Sequence, residues 1–215
     1  MADYTPTRNY RMKITLEHIT PNAEELISRY SAVCYDSDIN DPIKNEKRIK
    51  HLMKVKHLST LRHAIATFRV EGISRACSHQ FVRSKHLDFL QRSQRYCSEE
   101  EFEYVDYPDM DEESQMLYRS TMGELNDTYK QLMELGIRKE DARMVLPNAA
   151  TTELVVTASL QGWVDFVNLR CQKAAQQEIR TVATNILAIL HNECPNIFQS
   201  QALKYGVIND KSVKP

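Results

Sequence analysis

No run of about 18 apolar residues occurs in this chain, so no transmembrane helix is expected. The first residues, Met1-Ala2-Asp3-Tyr4-Thr5, lack the apolar segment of a secretory signal. Five cysteines, at positions 34, 77, 97, 171 and 194, are an odd number with no CxxC pair. Such usage argues against a disulfide framework and predicts reduced thiols in a cytoplasmic protein. Neither the cysteines nor the seven histidines show metal-ligand spacing, so no metal is expected. Charge of one sign is lacking too, the net value being −1. That removes any general pull toward nucleic acid or an anionic membrane, and any affinity for anions must be local. Gly/Ser linkers, low-complexity tracts and internal repeats are absent. A 215-residue chain of this kind is expected to form one domain over residues 1–215, large enough for a sizeable core.

What is present alternates between element types. Lys13 to His18 suits a short strand. Asn22 to Cys34 reads as a helix with Pro21 near its first turn. Ile43 to Val55 reads as a basic helix whose lysines form a solvated face. His63 to Val70 predicts a strand with Ala64, Ala66, Phe68 and Val70 on one side, and Gly72 marks a turn. Ile73 to Val82 reads as a helix, and residues 98–111 as an acidic, aromatic loop or insertion. A helix follows from about Glu112 to Leu135, closed by Gly136. Thr151 to Ala158 suits a strand. Gln176 to Leu190 puts Ile179, Val182, Ala183, Ile186, Leu187 and Leu190 on one helical face. The tail over residues 196–215 is weakly patterned and is expected to be a flexible end.

The densest chemistry lies in the middle. Arg83, Lys85, Arg92 and Arg95 place four cations within thirteen residues. Gln80, Gln91, Ser93, Gln94 and Tyr96 add neutral hydrogen-bonding groups. Arginine forks take phosphate oxygens in pairs, and amides and hydroxyls read the edge of a heterocycle. The mixture suits a phosphorylated ligand with a heterocyclic head. The plain alternative is a solvated cationic loop.

The order of these residues resembles the signature of the flavin-dependent thymidylate synthases, the ThyX family. That pattern reads Arg-His-Arg, seven residues, then Ser-x-Arg-Tyr. Here it stands as Arg83-Ser84-Lys85, then His86 to Arg92, then Ser93-Gln94-Arg95-Tyr96. Other landmarks fall in the family's order. They are Thr20-Pro21 through Cys34-Tyr35, His57-Leu58-Ser59-Thr60-Leu61-Arg62-His63, and Phe68 through Ala76. Ala142-Arg143-Met144-Val145-Leu146-Pro147, Asn168-Leu169-Arg170 and Ala175 through Arg180 complete the set.

The resemblance implies an α/β fold (α+β type) with a mainly antiparallel sheet flanked by helices. It also implies a homotetramer whose active sites draw on several subunits. It implies one-carbon transfer from methylenetetrahydrofolate to C5 of a pyrimidine deoxynucleoside monophosphate, dUMP or dCMP. In the family a reduced FAD supplies hydride, NADPH restores the flavin, and no protein nucleophile attacks the base. Carried over by position, Gln80, Arg83, Gln91, Ser93, Arg95, Arg143 and Arg170 fall to the nucleotide. Arg170 also has a catalytic role, beside the uracil carbonyls. His57, Ser59, Arg83 and Lys85 fall to the cofactor. The flavin side departs from the pattern: Arg62 stands for a Glu, Ser84 for the signature His, and Lys85 for its second Arg. Ser159-Leu160-Gln161 replaces Asn-x-Arg, Asp165 replaces His or Asn, and Ala174 replaces a His. These changes predict weak or altered FAD binding, with NADPH equally in doubt. Hydroxymethylation is then an alternative outcome to methylation. His86 and Asp88, at i and i+2, are candidate catalytic groups for proton transfer. A non-catalytic nucleotide-binding or scaffold protein on the same fold is the competing reading. Nucleic-acid binding through the cluster is disfavoured by the balanced charge.

Overall fold

A computed structural model of the chain describes residues 11–106 and 110–209. In chain order the elements are β1 (Lys13–Ile19), α1 (Ala23–Ala32), α2 (Pro42–Lys54), β2 (Ile65–Ser74), α3 (Arg75–Phe81) and β3 (Leu87–Gln91). Then come α4 (Glu112–Glu134), α5 (Lys139–Ala142), β4 (Thr151–Ser159), α6 (Leu160–Arg170), α7 (Gln177–Glu193) and α8 (Pro195–Lys204). Short 3-10 helices occupy Val33–Tyr35, Leu58–His63 and Arg143–Val145. The four strands form one antiparallel sheet in the order β1-β2-β4-β3, flanked by helices. The expected fold class is therefore the observed one. No described helix is long and apolar enough to cross a membrane.

The chain's contacts group into two compact units. The first gathers Val70–Phe81 and Leu90–Val155 with the stretch before Ile14. The second gathers Ile14–Arg69, Val82–Phe89 and the chain from Val156 on.

In the first unit, Phe102, Met122 and Ala150 form a buried cluster, with Tyr104, Tyr118 and Leu146 packed against it. The acidic segment is thus an anchored loop. Phe102 and Val105 are buried, and Tyr104 pairs with Ala150 in a lone antiparallel bridge. Residues 107–109 of that segment lie outside the described residues. Helix α4 starts where Asp111 accepts the Ser114 amide at 2.8 Å. It ends as expected at Gly136, whose φ of +83° lets Ile137 N–H reach Leu132 O and its own N–H reach Met133 O. Gly72 corrects an expectation. It sits inside β2 rather than at a turn, at φ +71°, and a Cβ there would lie 2.8 Å from Arg11 O. Only glycine meets both demands.

In the second unit, the predicted faces are the buried ones. Ala66 and Phe68 of β2 have no exposed surface, nor do Ile179, Val182, Ala183, Ile186, Leu187 and Leu190 of α7. Asp41 caps α2 by accepting the amides of Ile43 and Lys44 at 3.0 and 3.1 Å, with Pro42 in the first turn. The expected flexible end gives way to α8 through Lys204. Ile197, Phe198 and Ala202 bury its inner side. Glu24 of α1 holds its start, accepting Asn196 Nδ2 at 2.7 Å and Ile197 N–H at 3.0 Å. A carboxylate at a helix N-terminus satisfies open amides and complements the dipole. Residues 210–215 of the expected tail lie outside the described residues.

Candidate functional site

The spacer in the cationic segment is a strand, not a loop. Residues Leu87–Gln91 pair beside β4, and Arg92 N–H continues to Glu153 O at 3.0 Å. This sets the side chains that follow. Within the first unit, the Gln91 amide donates to Ser78 Oγ at 2.9 Å and Thr152 Oγ1 at 3.3 Å. Arg75 reaches the Arg92 carbonyl and Thr152 Oγ1, both at 3.4 Å. Arg92 pairs with the buried carboxylate of Glu99 and donates to Ser98 O at 3.2 Å. Burial lowers the Arg75 pKa against the support of Glu99, and the nearby Arg143 and Arg92 lower it further.

Ser93 then folds the chain into a turn. Its Oγ accepts Arg95 N–H at 3.3 Å, and its carbonyl accepts Cys97 N–H at 3.0 Å. The turn aims Arg95 at Glu140 on α5. Arg95 Nε donates to Glu140 Oε2 at 2.6 Å, and Arg138 pairs with Glu140 Oε1 at 2.9 Å. Arg143 Nε donates to the Glu140 backbone carbonyl at 3.1 Å. The hydrogen bond from Arg95, with Arg138 and Arg143 nearby, holds the Glu140 carboxyl below its ordinary range. Arg95 and Arg143 are each gripped by Nε alone. Their terminal nitrogens make no hydrogen bond with the described residues. Those nitrogens are the prongs that take phosphate oxygens in pairs. The structure thus brings Arg95 and Arg143 beside Glu140, with Ser93 shaping the turn that carries Arg95 and Gln91 fixed at the strand end before it. Gln80 is half-buried near the end of α3.

The second unit assembles the other candidates. The 3-10 helix Leu58–His63 begins after His57, whose carbonyl accepts Thr60 Oγ1 at 2.9 Å. That helix packs on α6, and Leu160 N–H donates to Ala64 O at 2.9 Å. Trp163 locks the same corner. Its indole N–H donates to Ala66 O at 3.0 Å, and its ring meets Phe68 edge-on at 5.0 Å. Ser159 caps α6 by accepting Gly162 N–H at 3.2 Å. The signature turn rests on this start of α6. His86 adopts φ 63°, and its carbonyl fills the place a Cβ on Gly162 would take. Arg83, Lys85, His86 and Asp88 are all exposed, Ser59 is exposed, His57 is half-buried, and Arg170 is half-buried at the last residue of α6. Ser84 is only 6% exposed, and its hydroxyl has no hydrogen-bond partner among the described residues. Arg62 Nε donates to Gln161 Oε1 at 2.7 Å.

Sequence reasoning missed Glu140, Arg138, Arg75, Glu99 and Thr152. A signal existed for the first two, because the mixed-charge run Arg138-Lys139-Glu140-Asp141 directly precedes Arg143. None existed for Thr152, which lies in an unremarkable strand.

Residues 15–196 match the sequence profile of the family described as thymidylate synthase complementing protein. The chain belongs to this family. Relatives within it agree. A flavin-dependent thymidylate synthase of Geobacter sulfurreducens is 35% identical over 202 residues, covering 87% of this chain and 86% of the relative. Proteins of the same name from Corynebacterium diphtheriae and Clostridium tetani are each 31% identical. They align over 212 residues (89% of this chain, 83% of the relative) and 217 residues (87% and 86%) respectively. The thymidylate synthase complementing family match spans both units and every candidate residue named above.

Proposed function

We propose that this protein transfers a one-carbon unit from methylenetetrahydrofolate to C5 of dUMP, forming thymidylate, with FAD as resident cofactor and NADPH as reductant. Family membership supports the reaction class, and the relatives' shared name favours flavin use over the loss suggested by the sequence departures. The observation that carries the nucleotide assignment is the Arg95–Glu140–Arg143 cluster, whose guanidinium prongs remain available for a phosphate.

The residues of the second unit fit an anionic, hydrogen-bonding cofactor. Arg83 and Lys85 are exposed cations with no carboxylate partner among the described residues, and the buried Ser84 hydroxyl lacks a partner. When bound, the reduced flavin supplies the hydride that completes the methyl group. The chain's own work is positioning and electrostatics. On the first unit, Arg95 and Arg143 hold the phosphate, Ser93 fixes the turn that presents Arg95, and Gln80 and Gln91 offer amides to the ligand. On the second unit, Arg83 and Arg170 stabilise negative charge on the pyrimidine nucleotide, and His57, Ser59 and Lys85 face the cofactor. His86 and Asp88 exchange protons with the reacting nucleotide. The proposal includes a single-domain organisation, a homotetramer and a cytoplasmic setting. Val33, Tyr35 and Ile43 are exposed apolar groups of the kind an interface covers, and the five cysteines are free thiols.

The decisive assay incubates dUMP or dCMP with methylenetetrahydrofolate, with and without FAD and NADPH, and follows products by mass spectrometry. Thymidylate from dUMP, dependent on FAD, is expected. A hydroxymethyl nucleotide, a product from dCMP alone, or no product would overturn the reading. Arg95→Ala should weaken dUMP binding by about 2 kcal/mol, the scale of a lost charge-assisted pair. Unchanged affinity after combined Arg95→Ala and Arg143→Ala would remove the phosphate assignment. A stable monomer in light scattering would remove the tetramer.

A further inference from the structure

Two departures from the family pattern, Arg62 for a Glu and Gln161 for an Arg, are hydrogen-bonded to each other at 2.7 Å. They lie 99 residues apart in sequence, so their pairing is a property of the fold. Read separately, they look like two losses. Read together, they exchange places, because the cation leaves position 161 on α6 and arrives at position 62 on the 3-10 helix packed against α6.

The manner of the pairing matters. Gln161 is a neutral acceptor, so it orients the guanidinium without cancelling its charge. It grips Nε, the nitrogen at the base of the fork. The two terminal nitrogens make no hydrogen bond with the described residues, and no described carboxylate pairs with Arg62. Arg62 is exposed at this corner. An oriented fork with its prongs open is the arrangement that takes two oxygens of a phosphate. It repeats the grip seen on Arg95 and Arg143.

A second observation lies in the same unit. The carbonyl of His86 packs against Gly162, the residue after Gln161, so the signature turn sits at this start of α6. That turn carries Arg83 and Lys85, two further cations without a carboxylate partner among the described residues. It also carries the buried, unpartnered Ser84 hydroxyl. Three uncompensated cations on adjoining segments call for a ligand with more than one negative charge.

We infer that Arg62, oriented by Gln161, is a specificity-determining contact for the diphosphate of FAD, supplying from the 3-10 helix the charge that α6 no longer carries. This rests on the flavin reading above, and it turns an expected weakness of FAD binding into a relocated contact. A cation can move between two packed segments provided its new neighbour does not neutralise it.

The test measures FAD affinity by quenching of flavin fluorescence, with FMN, which lacks the second phosphate, as comparison. Arg62→Gln should weaken FAD at least tenfold and FMN much less. Arg62→Glu should weaken FAD more, and Arg62→Glu with Gln161→Arg should recover affinity to within about threefold of wild type, since charge is restored from α6. Gln161→Glu guards against misfolding. It keeps Arg62 and adds an ion pair, so it should leave thermal stability unchanged or raised while weakening FAD by the same order. Equal FAD affinity for wild type, Arg62→Gln and Gln161→Glu would overturn the inference, as would failure of the double variant to exceed Arg62→Glu. If wild type binds no FAD at all, the flavin reading falls first and takes this contact with it.

Discussion

Gly162→Ala tests whether the signature turn is braced by α6. An alanine Cβ at this position would sit 2.8 Å from the His86 carbonyl oxygen and 3.2 Å from the Ala158 Cβ. Relaxed carbon–oxygen contacts lie near 3.3–3.6 Å, so the carbonyl must retreat by roughly 0.5 Å. His86 has little room to comply. Its φ of 63° places a side-chain-bearing residue in the small left-handed basin, where the backbone is tightly confined. Overpacking of this kind costs about 1–3 kcal/mol. Against it stands the helical preference of alanine over glycine, at most about 1 kcal/mol. The net expectation is a loss of about 1 kcal/mol, or a melting temperature lower by about 2–4 °C at this chain length. Gly123→Ala is the control. Gly123 lies within α4, and an added Cβ there meets nothing within 4 Å. Here only helical preference acts, so a gain of about 0.5–1 kcal/mol is expected. Thermal melts followed by circular dichroism at one protein concentration compare the two. Opposite signs support the brace. A rise for both variants would refute the reasoning, because the turn would then yield freely. Adding His86→Gly to Gly162→Ala should return part of the loss, since a glycine carbonyl can move where a histidine carbonyl cannot.

Lys56→Gly should stabilise the protein by about 1 kcal/mol, because Lys56 closes α2 at φ 58° in the position that favours glycine; a melting temperature that fails to rise would count against that strain. Glu24→Ala should free the start of α8 at a cost of about 1–2 kcal/mol, seen as faster amide exchange over residues 196–199 with little change in α4. Burial pushes the Cys171 thiol up to about 11 and the Cys194 thiol up to about 12. Their folded values lie above the unfolded one, so their stabilising contribution is complete below about pH 9 and is lost as pH climbs from 9 toward 11–12. A Cys171→Ala, Cys194→Ala variant should show a shallower alkaline decline than wild type. Identical slopes would refute it.

The parts legible in the sequence were those whose signal is local. β2 and α7 announce themselves by alternation and by a helical stripe, and α4 by its closing glycine. The missed parts owe their form to distant partners. β3 is only five residues long, with Leu90 exposed, and hides inside a basic run. α6 buries Leu160, Trp163, Val164 and Val167 at helical spacing, but Gly162 and Phe166 are buried too, so the buried arc covers more than half of the helix and the stripe is blurred. It looks like an extension of β4, and only the Ser159 cap marks the break. α8 depends on Glu24, 172 residues before its Asn196 partner. The site divides the same way. Its arginines stand in a motif, but their partners do not: Glu140 lies 45 residues from Arg95, and Gln161 lies 99 from Arg62.

The carboxylate of Glu140 has a consequence for how a ligand arrives. It already serves as resident counter-ion to Arg95 and Arg138. A phosphate entering this cluster would not meet bare charge; a tethered anion already stands beside Arg95. Under the phosphate assignment proposed above, the guest would take the open terminal nitrogens and share the Arg95 guanidinium with Glu140, so a doubly charged group would gain more from the remaining field than a singly charged one. Glu140 stays in the complex, so part of the cationic field is compensated before any ligand arrives, and long-range steering of an anion to this cluster would be correspondingly weaker.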